Sequence, residues 1–99
     1  MITFVRTRSI APGKAAEAMA FAQQVTKLVK DKFGVELRTS VPIGGNPDRI
    51  AFVTTYPSMA ELETAATKLV ADADYQKLIA ANAQTFLPGS AHDEMWMSM

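Results

Sequence analysis

Cysteine is absent from this chain, and histidine occurs once, at position 92. The first absence removes disulfides and all thiolate chemistry. The second argues against a metal centre, because an all-protein zinc site normally draws on several His or Cys ligands. An excess of either charge is also missing: ten Lys and Arg balance ten Asp and Glu. A nucleic-acid partner is therefore not expected, since such binders carry a basic footprint. No apolar run reaches the roughly 18 residues needed to span a bilayer, so no membrane partner is expected. Met1 to Ile10 holds two arginines among apolar residues. It reads as neither a signal peptide nor a transit peptide, and the expected location is cytoplasmic. At 99 residues the chain has the size of one domain, and 1–99 is read as a single unit. A domain this small buries only about two-thirds of its unfolded surface, and usually gains stability from disulfides, metals or oligomerisation. The last of these is what remains.

The residues that are present fall into alternating strand and helix patterns. Met1 to Ile10 is rich in Ile, Val, Phe and Thr and predicts a strand. Pro12 suits a first helical turn. From Lys14 to Phe33, Ala18, Phe21, Ala22, Val25, Leu28, Val29 and Phe33 recur at helical spacing, and Gly34 provides a stop. Val35 to Ile43 alternates as a strand, and Pro42 marks it as an edge because proline cannot donate to a ladder. Gly44-Gly45-Asn46-Pro47-Asp48 is a turn cluster leading into a strand over 49–56. The same cluster is not a phosphate loop, since no helix and no Lys-Ser or Lys-Thr follows it.

Ser58 and Glu61 have the spacing of a capping box. The helix after them is expected to bury Met59, Leu62, Ala66, Leu69 and Val70. Asp72 can cap a further short helix presenting Tyr75, Leu78, Ile79, Asn82, Ala83 and Phe86, which Pro88-Gly89 would end. Ala91 to Met99 is the last strand. The order β-α-β-β-α-β predicts an α+β, ferredoxin-like domain with a four-stranded antiparallel sheet and helices on one face.

Helices cover one face of such a sheet, and a face in water should be polar. Yet Phe4 and Val5 lie on opposite faces of the first strand, Phe52 and Val53 on opposite faces of the third, and Met95 and Trp96 on opposite faces of the fourth. A second copy over the open face explains this pattern, because a large exposed apolar patch is unusual in a monomer.

The chain also resembles the dimeric α/β-barrel proteins, in particular their NIPSNAP-like and antibiotic-biosynthesis-monooxygenase-like small domains. The resemblance spans nearly the whole length. It rests on Pro12-Gly13-Lys14, on Tyr56-Pro57-Ser58-Met59-Ala60-Glu61-Leu62, and on Lys68 to Leu78, with its helix-Asp-x-x-Tyr segment at Asp72 and Tyr75. These residues mark helix punctuation and not chemistry. The resemblance implies a homodimeric ferredoxin-like domain with a small apolar or aromatic ligand. Its look-alikes include cofactor-independent oxygenases, isomerases, haem-degrading enzymes and proteins of unknown role.

Histidine is the one side chain here whose ordinary charge changes near neutral pH. Strand spacing places His92, Glu94 and Trp96 on one face, an arrangement suited to proton relay or acid binding. The ordinary alternative is a solvent-facing histidine at a strand entrance. Arg6 and Arg8 share a face of the first strand with Ile2 and Phe4, and Arg38 shares one with Glu36. An arginine in such a place needs a carboxylate or an anionic ligand. The competing reading is an ion-pair ladder across strands, or between Arg38 and a partner's Glu94. Met95, Met97 and Met99 form a stripe suited to core or interface filling. Tyr75 and Asn82 share a helix face and must find hydrogen bonds, in a pocket or with a loop backbone.

Three functional expectations follow. In the first, a small molecule binds between sheet and helices, without a cofactor and with an oxygenase or isomerase as the enzymatic form. His92 is then the proton handler, Arg6 or Arg38 the anion anchor, Glu94 the carboxylate beside His92, and Trp96 and Tyr75 the walls. The second is a non-enzymatic dimerisation or interaction protein. The third is haem binding or degradation with His92 as ligand.

Overall fold

The computed structural model describes residues 1–99. Its elements are β1 (Ile2–Ser9), α1 (Ala15–Phe33), β2 (Arg38–Ser40), β3 (Arg49–Tyr56), α2 (Met59–Ala71), α3 (Ala73–Ala81) and β4 (His92–Met97). The strands form one sheet in the order β2-β3-β1-β4, with every neighbouring pair antiparallel. The four-stranded antiparallel α+β arrangement is the expected one, with β1 and β3 central.

The core forms where α1 meets the sheet. Ala18, Phe21, Ala22, Val25 and Val29 make the inner stripe of the helix and pack with Ile50, Phe52 and Phe86. Phe21 meets Phe52 and Phe86 edge-on, with centroids 5.8 and 5.4 Å away, the tilted geometry that ring quadrupoles favour. Gly34 ends α1 at a φ of 66°, and the Val35 amide bonds back to the Val29 carbonyl. Residues with a Cβ avoid that left-handed conformation, which is why glycine stands there.

Three expectations about element extent need correction. The second strand covers three residues and not Val35 to Ile43. Its start is lost because the Val35 amide belongs to the helix stop. Its end is lost ahead of Pro42, and Val41 and Ile43 on either side of that proline are exposed. The last helix stops at Ala81, well before Pro88-Gly89. Asn82 caps it, the Asn82 side chain donating to the Leu78 carbonyl and accepting from the Thr85 hydroxyl. The chain then pairs with the end of β1: Ala11 donates to the Thr85 carbonyl and Leu87 to that of Ser9, which seats Phe86 in the core. Asn82 thus serves the turn. Finally, α2 buries no residue at all, and Met59 and Val70 are largely exposed. Leu62 and Leu69, half-buried, face a cavity, and Leu69 also packs against the edge of the core.

Candidate functional site: a pocket between sheet and helices

Strand alternation sorts the candidate residues onto two faces. Direct partners in the sheet share a face. The pairs Phe4–Thr54, Arg6–Phe52, Phe4–Met95 and Arg6–Asp93 therefore line the helix side. The pairs Val5–Val53, Arg38–Val53, Val5–Glu94, Thr7–His92 and Thr3–Trp96 line the open side.

On the helix side a cavity of about 390 Å³ lies under α2, between the sheet, α1 and α3. Of its 21 lining residues 17 are hydrophobic, among them Phe4, Val29, Phe33, Leu62, Leu69 and Ile79. Size and lining fall in the range of small-molecule sites. Set among these apolar walls are Arg6, Arg8, Thr54 and Asp93, and two of the walls, Tyr56 and Tyr75, carry phenol groups.

Arg6 and Asp93 form a two-pronged pair. Nε donates to Oδ1 at 2.7 Å and the second guanidinium nitrogen to Oδ2 at 2.8 Å. The Arg6 bonds hold the Asp93 carboxylate below its ordinary pKa, with burial opposing. Asp93 in turn raises the Arg6 guanidinium. Arg8, two residues along the same face, has no such partner. Its Nε is buried without an acceptor, and its guanidinium carbon sits 4.3 Å from the Phe86 ring centroid. Burial, then the charge of Arg6, pushes its pKa down. Tyr75 lines the same pocket, within electrostatic reach of both arginines. The Thr54 hydroxyl is also buried without a partner.

Tyr75 is set by the short third helix. Asp72 caps α3 by accepting from the Tyr75 amide at 2.8 Å. Lys32, at the end of α1, holds Asp72 and Asp74 at 2.8 and 2.6 Å. This clamp fixes the start of α3 against α1, and so fixes the helix that brings Tyr75 to the pocket. Among the groups that face the pocket, sequence reasoning assigned Arg6 and Tyr75 to the site, set Arg8 beside Arg6 as a cation in need of an anion without assigning it, and passed over Thr54 and Asp93. The signal for Arg8 is the alternation Ile2, Phe4, Arg6, Arg8, which puts two cations on an otherwise apolar, helix-covered face. Thr54 is the polar member of the row Ile50, Phe52, Thr54, Tyr56.

The other predicted site residues do not join this pocket. His92, Glu94, Trp96 and Arg38 lie on the opposite face of the sheet. Expecting all six in one site is corrected by the strand register, which turns odd and even residues to different sides. His92 and Glu94 do meet, Nε2 lying 3.5 Å from a Glu94 oxygen, with both side chains well exposed. Glu36 is held by Lys30 of α1 and not by Arg38.

No family model matches the sequence, and no curated protein matches it. Solved structures do match the fold. An uncharacterised NIPSNAP domain protein from Burkholderia xenovorans superposes with a TM-score of 0.83 at 18% identity, over 100% of this chain and 95% of that one. A NIPSNAP-family protein of unknown function from Agrobacterium tumefaciens gives 0.82 at 15% identity, over 97% and 86%. An antibiotic biosynthesis monooxygenase gives 0.74 at 13% identity, over 100% and 99%. The architecture is thus the one those two groups share.

Proposed function

We propose that this protein binds a small, largely apolar molecule in the pocket beneath α2, and that two copies associate through the open faces of their sheets. One observation carries the binding reading: an apolar cavity of about 390 Å³ into which Arg6, Arg8, Thr54 and Tyr75 bring the polar groups. Sparse polar groups among apolar walls orient a ligand, while the walls supply most of the contact area. An oxygenase or isomerase acting here would rely on guanidinium groups and a tyrosine to stabilise enolate or phenolate charge. His92, on the other face, would not take part. Haem ligation by His92 within this pocket has no support in that placement either.

The test is titration with a neutral apolar probe, 2-naphthamide, followed by amide chemical shifts. Shifts are expected at Val29, Leu69 and Tyr75, with Trp96 unmoved. Shifts confined to the Trp96 face, or none at millimolar probe, would overturn the pocket reading. An activity assay adds a second check: any turnover should survive His92→Ala and fall in Arg8→Gln.

Association rests on a different observation. Arg38, Val53, Val5 and Glu94 stand side by side across all four strands on the open face. The row reads positive, apolar, apolar, negative, and spans about 14 Å at the usual strand spacing. A two-fold axis parallel to the strands reverses the row in the facing copy. Each Arg38 then meets the other subunit's glutamate, and valines meet valines. The face complements itself, as a two-fold interface requires.

A further inference from the structure

The polar groups of the pocket are not equivalent, and their difference selects a ligand charge. The fork of Arg6 is spent on Asp93, and that pair is neutral as a unit. Arg8 adds a positive charge that no carboxylate of this chain answers. Its guanidinium carbon lies over the Phe86 ring, 4.3 Å from the centroid, which stabilises the cation, while its N–H groups donate to no acceptor of this chain. One of those donors, Nε, is buried without an acceptor. Arginine does not solve this problem by losing its proton. A buried donor left unmade is costly, and for a charged donor the cost is greater. Nor can the pocket supply an answer by rearrangement. Asp93 is its only acid, and releasing it to Arg8 would strand Arg6.

Resting on the pocket reading above, we propose that the ligand is an organic monoanion with an apolar body, its carboxylate held by the Arg8 fork. The carboxylate matches the spacing of guanidinium donors, and such two-pronged pairs are among the stronger hydrogen bonds in proteins. Tyr75, which lines the same pocket, offers a further hydroxyl donor. The body of the ligand runs along the sheet beneath Leu62 and Leu69. Thr54 marks the other end of the polar track. It lies four residues along β3 from Ile50, the strand partner of Arg8, which is about 14 Å of strand. Its unpaired hydroxyl is placed for a second polar group on a long ligand. A dianion is disfavoured, since the pocket presents one unanswered charge, and a cation is repelled by it.

The experiment compares matched acid and amide probes on the intact protein by calorimetry: 2-naphthoate against 2-naphthamide, and octanoate against octanamide. In the wild type each carboxylate is expected to bind about tenfold or more tightly than its amide. Arg8→Gln should abolish that preference, the carboxylate losing about tenfold more affinity than its amide. Arg8→Lys, which keeps the charge and loses the fork, should fall between them and serves if the glutamine variant does not fold. The side-chain Nε signal of Arg8 should shift on adding 2-naphthoate and stay fixed on adding 2-naphthamide. Equal affinity of acid and amide in the wild type would overturn the monoanion proposal and leave the pocket standing. Preference retained in Arg8→Gln would move the anion to another group and overturn the assignment to Arg8. If neither member of either pair binds, the pocket reading itself fails.

Discussion

A carboxylate gripped by a guanidinium holds its charge to lower pH than a free one, and Asp93 illustrates the consequence for stability. Its folded value lies below the ordinary 3.8 because Arg6 hydrogen-bonds it. The pair's contribution is therefore fully present above about pH 4 and is lost as the pH falls through the depressed value. Asp93→Asn should flatten the acid side of the stability profile, measured as urea midpoints between about pH 2 and pH 6. Some slope should persist, since Lys32 and then the Tyr75 amide depress Asp72 as well. Arg6 and Asp93 side chains are 41% and 39% exposed, so solvent and salt screen the pair and its contribution should shrink in high salt. An unchanged acid limb in the variant would mean that the bond does not persist in solution.

Individual elements rest on local signals, and those signals decide how much was legible beforehand. Gly34 sits at positive φ with open space around the position of a Cβ. Gly34→Ala should therefore cost about 1 kcal/mol through backbone strain alone, read from chemical denaturation. Ser58 caps α2 by accepting from the Glu61 amide at 3.3 Å, and Ser58→Ala should likewise cost about 1 kcal/mol. Gly34 announced the end of α1 and Ser58 the start of α2 because their chemistry acts over three or four residues. Pro12, expected in the first turn of α1, lies in a turn ahead of it. The β-branched and aromatic runs of β1 and β3 were equally plain. What could not be read was set by distant partners. Phe86 looked helical by spacing, yet its backbone neighbours pair with Ser9 and Ala11 far away in sequence. Val35 looked like strand, yet its amide closes the preceding helix. For the site, residue type was a poor guide. His92 drew attention as the only histidine, but parity along the strand sends it away from the pocket. Arg8, two places from Arg6 on the covered face, holds the unanswered charge.

At the scale of the whole molecule, 11 of 99 residues are buried, a thin core for an isolated domain. The open face is where a second copy would add to it. Arg38→Glu or Glu94→Arg alone should shift the molecule toward monomer in sedimentation at micromolar concentration, and the double exchange should restore the dimer. A monomeric wild type would remove the interface, and a double variant no better than the singles would remove the proposed axis. The roof over the pocket has a different consequence. Helix α2 is capped at both ends by side chains or backbone, yet anchors no buried side chain. Segments held this way open at a smaller free energy than the global transition. Amide exchange should report α2 as a separate cooperative unit, trading its hydrogens well before the inner stripe of α1. Such opening would widen a pocket whose mouth is already partly open, with the sheet and its long partner helix undisturbed.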